Sequence, residues 1–151
     1  MERRFELNNA AATEALGVRL AQACPRGSLI FLHGELAAGK TTLARGYIKA
    51  LGHEGAVKSP TFTLVESYDL DVGTVHHFDL YRITAPEELD YIGIEDYVDG
   101  SADCLVEWAE KGTNVLPPGD VEVWLAVVER GRRAVLKGAS KRGADVISRN
   151  F

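Results

Sequence analysis

Apolar residues recur along this chain in two rhythms, and the switches between them place the elements. From Ala10 to Ala23, residues Ala12, Leu16, Leu20 and Ala23 fall at helical spacing, with Asn9 or Thr13 available as a cap. Pro25-Arg26-Gly27 ends that segment. Ser28 to His33 is apolar almost throughout, which predicts a strand covered on both faces. Helical spacing returns in Lys40 to Leu51 through Leu43, Tyr47, Ile48 and Leu51, and stops at Gly52. Arg4 to Leu7 predicts a short first strand. Phe62 to Asp69 and Thr74 to Leu80 predict a hairpin turning near Asp71-Val72-Gly73. Pro86 opens a short acidic helix, and Asp103 to Trp108 is a further buried strand. Pro117-Pro118-Gly119 marks a loop. Val121 to Val128 and Arg133 to Leu136 predict a second hairpin turning at Arg130-Gly131, and a short helix begins at Ser140.

Strand and helix alternate early and two hairpins follow. The expected class is α/β: a mixed, mostly parallel central sheet flanked by helices, with a C-terminal hairpin. A length of 151 residues fits one domain spanning 1–151.

Charge refines this picture. A net charge of −5 argues against a protein that coats nucleic acid. The average hides a split, however. Residues 130–151 hold seven basic residues against the single acid Asp145, whereas Arg82 and Lys111 bracket nine acids and no cation. The basic end could meet a nucleotide, tRNA or an acidic partner. Cys24 and Cys104 stand in no CxxC or Cys/His cluster, so neither a disulfide scaffold nor a zinc site is expected. Met1 to Glu6 is charged, and no run is long and apolar enough to span a membrane. The expected setting is a reducing cytoplasm.

The candidate chemistry lies between the second strand and second helix. Gly34-Glu35-Leu36-Ala37-Ala38-Gly39-Lys40-Thr41 matches G-x-x-x-x-G-K-[ST] in full, with a buried strand before it and a helix after it. Glycines let backbone wrap closely around phosphate oxygens. Successive N–H groups and the helix N-terminus then face the anion. Lys40 would reach the outer phosphates, and Thr41 would offer a hydroxyl to Mg²⁺.

Such a site also needs an acid at the end of a neighbouring strand. Cys104-Leu105-Val106-Glu107 supplies Glu107, followed by Trp108. Asp79 ends another strand, with Arg82 three residues on. It could be a base, a water-positioner or a metal ligand. Ser59-Pro60-Thr61-Phe62-Thr63 places hydroxyls in a loop suited to sensing a γ-phosphate. No N-K-x-D-type base reader is present, so ATP is favoured over GTP. Asp90-Tyr91-Ile92-Gly93 fits D-x-x-G, but it falls in the acidic helical segment and is read as coincidence.

Together, HGELAAGKTT at 33–42, SPTFTLVESY at 59–68, HHFDLYRI at 76–83, PEELDYIGIEDY at 86–97 and LVEWAEKG at 105–112 resemble the bacterial TsaE (YjeE) family. These are small P-loop ATPases of the threonylcarbamoyladenosine modification of tRNA. The resemblance implies that Gly34, Glu35, Leu36, Ala37, Ala38, Gly39, Lys40, Thr41 and Thr42 bind ATP. It implies that Thr41 and Glu107 hold Mg²⁺, that Asp79 serves hydrolysis and that Thr61 belongs to a nucleotide-sensing loop. Trp108 would pack beside the site, and Thr13 and Arg132 would lie on the adenine side. The chain departs from the family at Glu35, usually Asp, and at Ala37, usually Gly. If that glycine uses positive φ, Ala37 makes the loop adjust or strain.

The resemblance further implies an accessory factor that does not itself transfer the threonylcarbamoyl group. Its partners would be TsaB and TsaD, and it would use ATP, with weak activity alone and stimulation by the pair. Two other classes share the same residues. One is a small-molecule P-loop kinase, for which the chain leaves little length for a lid. The other is a non-hydrolysing nucleotide sensor. Phosphoryl transfer to a metabolite would mark the first, and lack of phosphate release the second.

Overall fold

A single seven-stranded sheet, ordered β1-β7-β6-β2-β5-β4-β3, organises the chain in the computed structural model, which describes residues 1–151. The strands are β1 (Glu2–Leu7), β2 (Leu29–His33), β3 (Val65–Leu70), β4 (Gly73–Asp79), β5 (Asp103–Glu107), β6 (Val121–Val128) and β7 (Gly131–Gly138). The helices are α1 (Ala10–Ala23), α2 (Lys40–Ala50), α3 (Glu88–Tyr91), α4 (Ile94–Tyr97) and α5 (Lys141–Asn150). β6, β2, β5 and β4 run parallel at the centre. The flanking pairings β1–β7, β6–β7 and β3–β4 are antiparallel, so the sheet is mixed and carries the C-terminal hairpin expected of it. No helix is long and apolar enough to cross a membrane.

Two apolar clusters hold the layers. On one face α1, α2 and α5 bury Leu16, Leu20, Leu43, Tyr47 and Ile147 against Ile30, Leu32, Leu105 and Val123. On the other, Leu89 and Ile94 from α3 and α4 cover Phe78, Leu80 and Val106. β5 lies between the two and is buried at all five positions, which explains the apolar run from Cys104 to Val106 at its centre. α1 and α2 meet backbone to backbone. A Cβ on Gly17 would sit 2.1 Å from the Leu43 carbonyl oxygen, and one on Gly46 2.0 Å from that of Glu14.

Several boundaries differ from the sequence pattern. Phe62 to Leu64 form a turn, not the start of a strand: Leu64 has φ 72°, and its N–H donates to Pro60 O at 2.8 Å. The acidic segment begins at Glu88, whose carboxylate accepts from the Thr84 and Ala85 N–H groups at 2.6 and 2.8 Å. Gly93, at φ 72°, then splits it into two short helices. β7 is longer than its apolar residues suggest because it pairs on both sides, with β6 and β1. Asn9 caps α1 through Ala12 N at 2.8 Å, while Thr13 is buried behind it. Ser140 caps α5 through Gly143 N at 2.9 Å. Both cysteines are buried and free.

Four cations of the basic C-terminal stretch are paired with acids of this chain. Arg133 pairs with Glu6, Lys137 with Glu2, Arg142 with Asp120 and Arg149 with Asp145.

Candidate active site

The site lies at the C-terminal ends of the central parallel strands, where open α/β sheets place their ligands. β2 delivers the chain into the loop at 34–39, and α2 takes it away at Lys40. Gly34 (φ 147°) and Gly39 (φ 108°) take dihedrals that side chains rarely adopt. A Cβ on Gly34 would also lie 2.5 Å from the Leu125 carbonyl oxygen. Ala37 does use positive φ, at 63°, so the loop keeps its shape and carries the strain. Arg132 reaches over from β7 and donates from Nη2 to Ala37 O at 3.0 Å and from Nε to Ala38 O at 3.1 Å. It therefore clasps the strained part of the loop.

α2 has no side-chain cap, which leaves its first N–H groups for an incoming anion. Lys40 is buried. Its ammonium donates to Gly34 O and lies 3.7 Å from the centre of the Trp108 ring. Burial lowers its pKa, opposed by the charges of Glu107, Asp79 and Glu110.

The acids come from adjacent strands. β4 and β5 are in register with Asp79 opposite Glu107, so both carboxylates leave the sheet together beside the start of α2. Thr41 Oγ1 donates to Glu107 Oε2 at 2.9 Å. His77 Nε2 bonds to the same oxygen at 2.7 Å. Asp79 Oδ2 accepts from Ser59 Oγ at 3.0 Å and Thr61 Oγ1 at 2.9 Å, while its Oδ1 accepts from Tyr81 N at 2.9 Å. Asp79 thereby ties the hydroxyl-rich loop to the end of β4.

These groups surround a cleft of about 310 Å³ lined by Leu36, Ala37, Gly39 to Thr42, Ser59, Thr61, Asp79, Glu107, Trp108 and Arg132. Three loop residues named from the sequence stand outside its lining. Gly34 contributes its carbonyl to Lys40, Glu35 is exposed and Ala38 is buried. Thr13 lies in an adjoining cleft of about 220 Å³ with Asn8, Asn9, Gly39, Thr42 and Arg132. Arg82 points elsewhere and stacks on Phe62 at 4.2 Å. Sequence reasoning passed over His77. Its signal was its place two residues before Asp79, which puts both side chains on one face of a strand.

A glycine-bent loop that feeds a helix N-terminus from a parallel strand, with its lysine and a threonine–carboxylate pair in place, defines a P-loop nucleotide-binding protein. The family model for the threonylcarbamoyl adenosine biosynthesis protein TsaE matches residues 7–135, and the chain belongs to that family. A TsaE of Haemophilus influenzae is 45% identical over 120 residues, covering 80% of this chain and 76% of that protein. A TsaE of Bacillus subtilis is 35% identical over 115 residues, covering 76% and 72%. The crystal structure of Bacillus subtilis YdiB superposes with a TM-score of 0.81 at 26% identity, covering 98% of this chain and 91% of that one.

Proposed function

We propose that this chain hydrolyses ATP as an accessory factor in making threonylcarbamoyladenosine in tRNA, and that it acts in the cytoplasm on the TsaB–TsaD pair. The biosynthetic role is the one the relatives' names carry. The hydrogen bond between Thr41 and Glu107 is the observation that carries the hydrolytic reading. It joins the first turn of α2 to the end of β5 at the floor of the phosphate cleft.

The donor set fits Mg²⁺. Thr41 and Glu107 offer hard oxygens, and Glu107 Oε1 accepts no protein hydrogen bond and is not sealed from the cleft. Mg²⁺ commonly takes one or two protein ligands and completes its shell with water and phosphate. Thr41 and Glu107 would hold the ion, which when bound offsets charge on the phosphates. The chain's own groups do the rest. Backbone N–H groups of the loop and of α2 bind the phosphate oxygens. Lys40 exchanges the Gly34 carbonyl for a phosphate oxygen. Asp79 positions Ser59 and Thr61 at the cleft edge, so a γ-phosphate that attracts those hydroxyls loosens the loop. Thr13 and Arg132 would border the base in the adjoining cleft. Pairing of Arg133, Lys137, Arg142 and Arg149 with acids of this chain favours a protein partner over direct tRNA binding.

Phosphate release by the pure chain, with and without TsaB–TsaD, tests the reading. Slow release accelerated by the pair is the expected result, and no response to the pair would overturn the partner assignment. Lys40→Ala should lower turnover about 10²- to 10³-fold, the usual effect of removing one preorganised donor to developing charge. Turnover at the parent rate would overturn the site assignment.

A further inference from the structure

His77 is the group that the phosphate chemistry does not account for. It sits on β4, is fully buried, and bonds through Nε2 to Glu107 Oε2 at 2.7 Å. Thr41 Oγ1 donates to that same oxygen at 2.9 Å. Neither donor touches Oε1. One carboxylate oxygen is thus held from two sides and the other is left for a ligand.

The second imidazole nitrogen sharpens the point. His77 Nδ1 is buried and has no hydrogen-bond partner. A polar atom sealed away unpaired costs about 1–3 kcal/mol. An apolar side chain of similar size would fill the space without that cost but would withdraw the donor from Glu107 Oε2, so the imidazole is explained by its bond to the carboxylate and not by packing. The unpaired Nδ1 also fixes the tautomer. A carboxylate only accepts, so the proton must sit on Nε2. With the proton on Nδ1 instead, a buried N–H would lack an acceptor and a lone pair would face the carboxylate.

We propose that His77 is a positioning residue for magnesium: its Nε2–H locks Glu107 Oε2 in place so that Oε1 is presented to the ion with little freedom to turn away. This rests on the reading of Thr41 and Glu107 as the magnesium side of a nucleotide site. A group that hydrogen-bonds to a metal-ligating side chain and holds it in place typically carries about a 10- to 100-fold effect on metal affinity.

Calorimetric binding of the imido analogue of ATP, in EDTA and across a magnesium titration, tests it. In His77→Leu the magnesium concentration needed for half-maximal tightening should rise about 10- to 100-fold. Affinity in EDTA should stay at the parent value. His77→Gln retains a donor near the Nε2 position and should recover most of the magnesium response. His77→Asn places its amide nearer the Nδ1 position and should behave like His77→Leu. The proposal is overturned if His77→Leu keeps the parent magnesium response, or if His77→Gln, which retains the donor, is no better than His77→Leu. The parent chain separates the two claims. If it shows no magnesium-dependent binding, the nucleotide-site reading fails; if it does and His77→Leu matches it, only the role of His77 fails.

Discussion

Ala37 shows how one side chain can report on a loop. At φ 63° an alanine pays about 1 kcal/mol or more that glycine does not. Arg132 meets that strain with two hydrogen bonds to the carbonyls of Ala37 and Ala38. Ala37→Gly should therefore raise stability by up to about 1 kcal/mol in urea unfolding, the relief of strain being partly offset by the greater freedom of glycine in the unfolded chain. A fall in stability would mean that the loop is unstrained at this position. Lys40 carries a second local message. Its ammonium is engaged by Gly34 O of the loop and by the ring of Trp108, which follows β5. The sequence named both residues, but it could not say that Ala37 is left-handed or that Arg132 holds it.

The helices act as a unit because α1 and α2 touch through glycines. Gly46 faces the Glu14 carbonyl and Gly17 faces that of Leu43, with no room for a methyl group at either. In an isolated helix Gly→Ala gains about 1 kcal/mol. Here the added carbon meets backbone at 2.0 Å, and neither partner is a flexible side-chain end. Gly46→Ala should thus destabilise the fold by about 1–3 kcal/mol, as overpacking usually does. Because α2 also carries Lys40 and Thr41, nucleotide affinity should fall with it. Increased stability on urea unfolding would refute the close approach. The hydrophobic pattern marked both helices and their apolar faces correctly. It gave no sign of the glycine contact, because a missing side chain leaves no periodic signal. Phe62 to Leu64 misled in the opposite way. Apolar residues there suggested a strand, but Leu64 turns left-handed and Phe62 is 82% exposed.

Asp120 ties the whole fold together at the end of the sheet opposite the nucleotide cleft. It accepts from Leu29 N on β2 at 2.9 Å, and from Ser140 Oγ at 2.8 Å and Arg142 Nη2 at 2.9 Å at the start of α5. Desolvation alone would raise its pKa. The hydrogen bonds from Arg142, Leu29 and Ser140 outweigh that and hold the carboxyl below the ordinary aspartate range. A depressed folded value means that its contribution is complete above the unfolded pKa, near about 4, and is lost as pH falls through the folded one. Asp120→Asn should accordingly be less stable than the parent at pH 7, and the gap should narrow as pH falls below about 4. Denaturation curves at pH 7 and pH 3 check this, and a gap that widens in acid would refute it. The same pairing logic changes the meaning of the net charge. The cations of residues 130–151 are spread along β7 and α5, and four of them are answered by acids of this chain. Three of these pairs join elements, Arg133 and Lys137 to β1 and Arg142 to Asp120, while Arg149 and Asp145 pair within α5.

Local order was therefore legible in advance: the phosphate loop, the strand before it, the helix after it, and acids at the ends of two further strands. Each of these is written within a few neighbouring residues, through spacing or through the dihedrals that glycine allows. Long-range register was not legible. Thr41 and Glu107 are brought together by the parallel pairing of β2 with β5, and Asp79 joins them through β4. Arg132 reaches the loop from a hairpin at the far end of the chain, and His77 became meaningful only once Glu107 lay beside it. Such pairs depend on which strands share an edge, and that choice is made by the packing of the whole core.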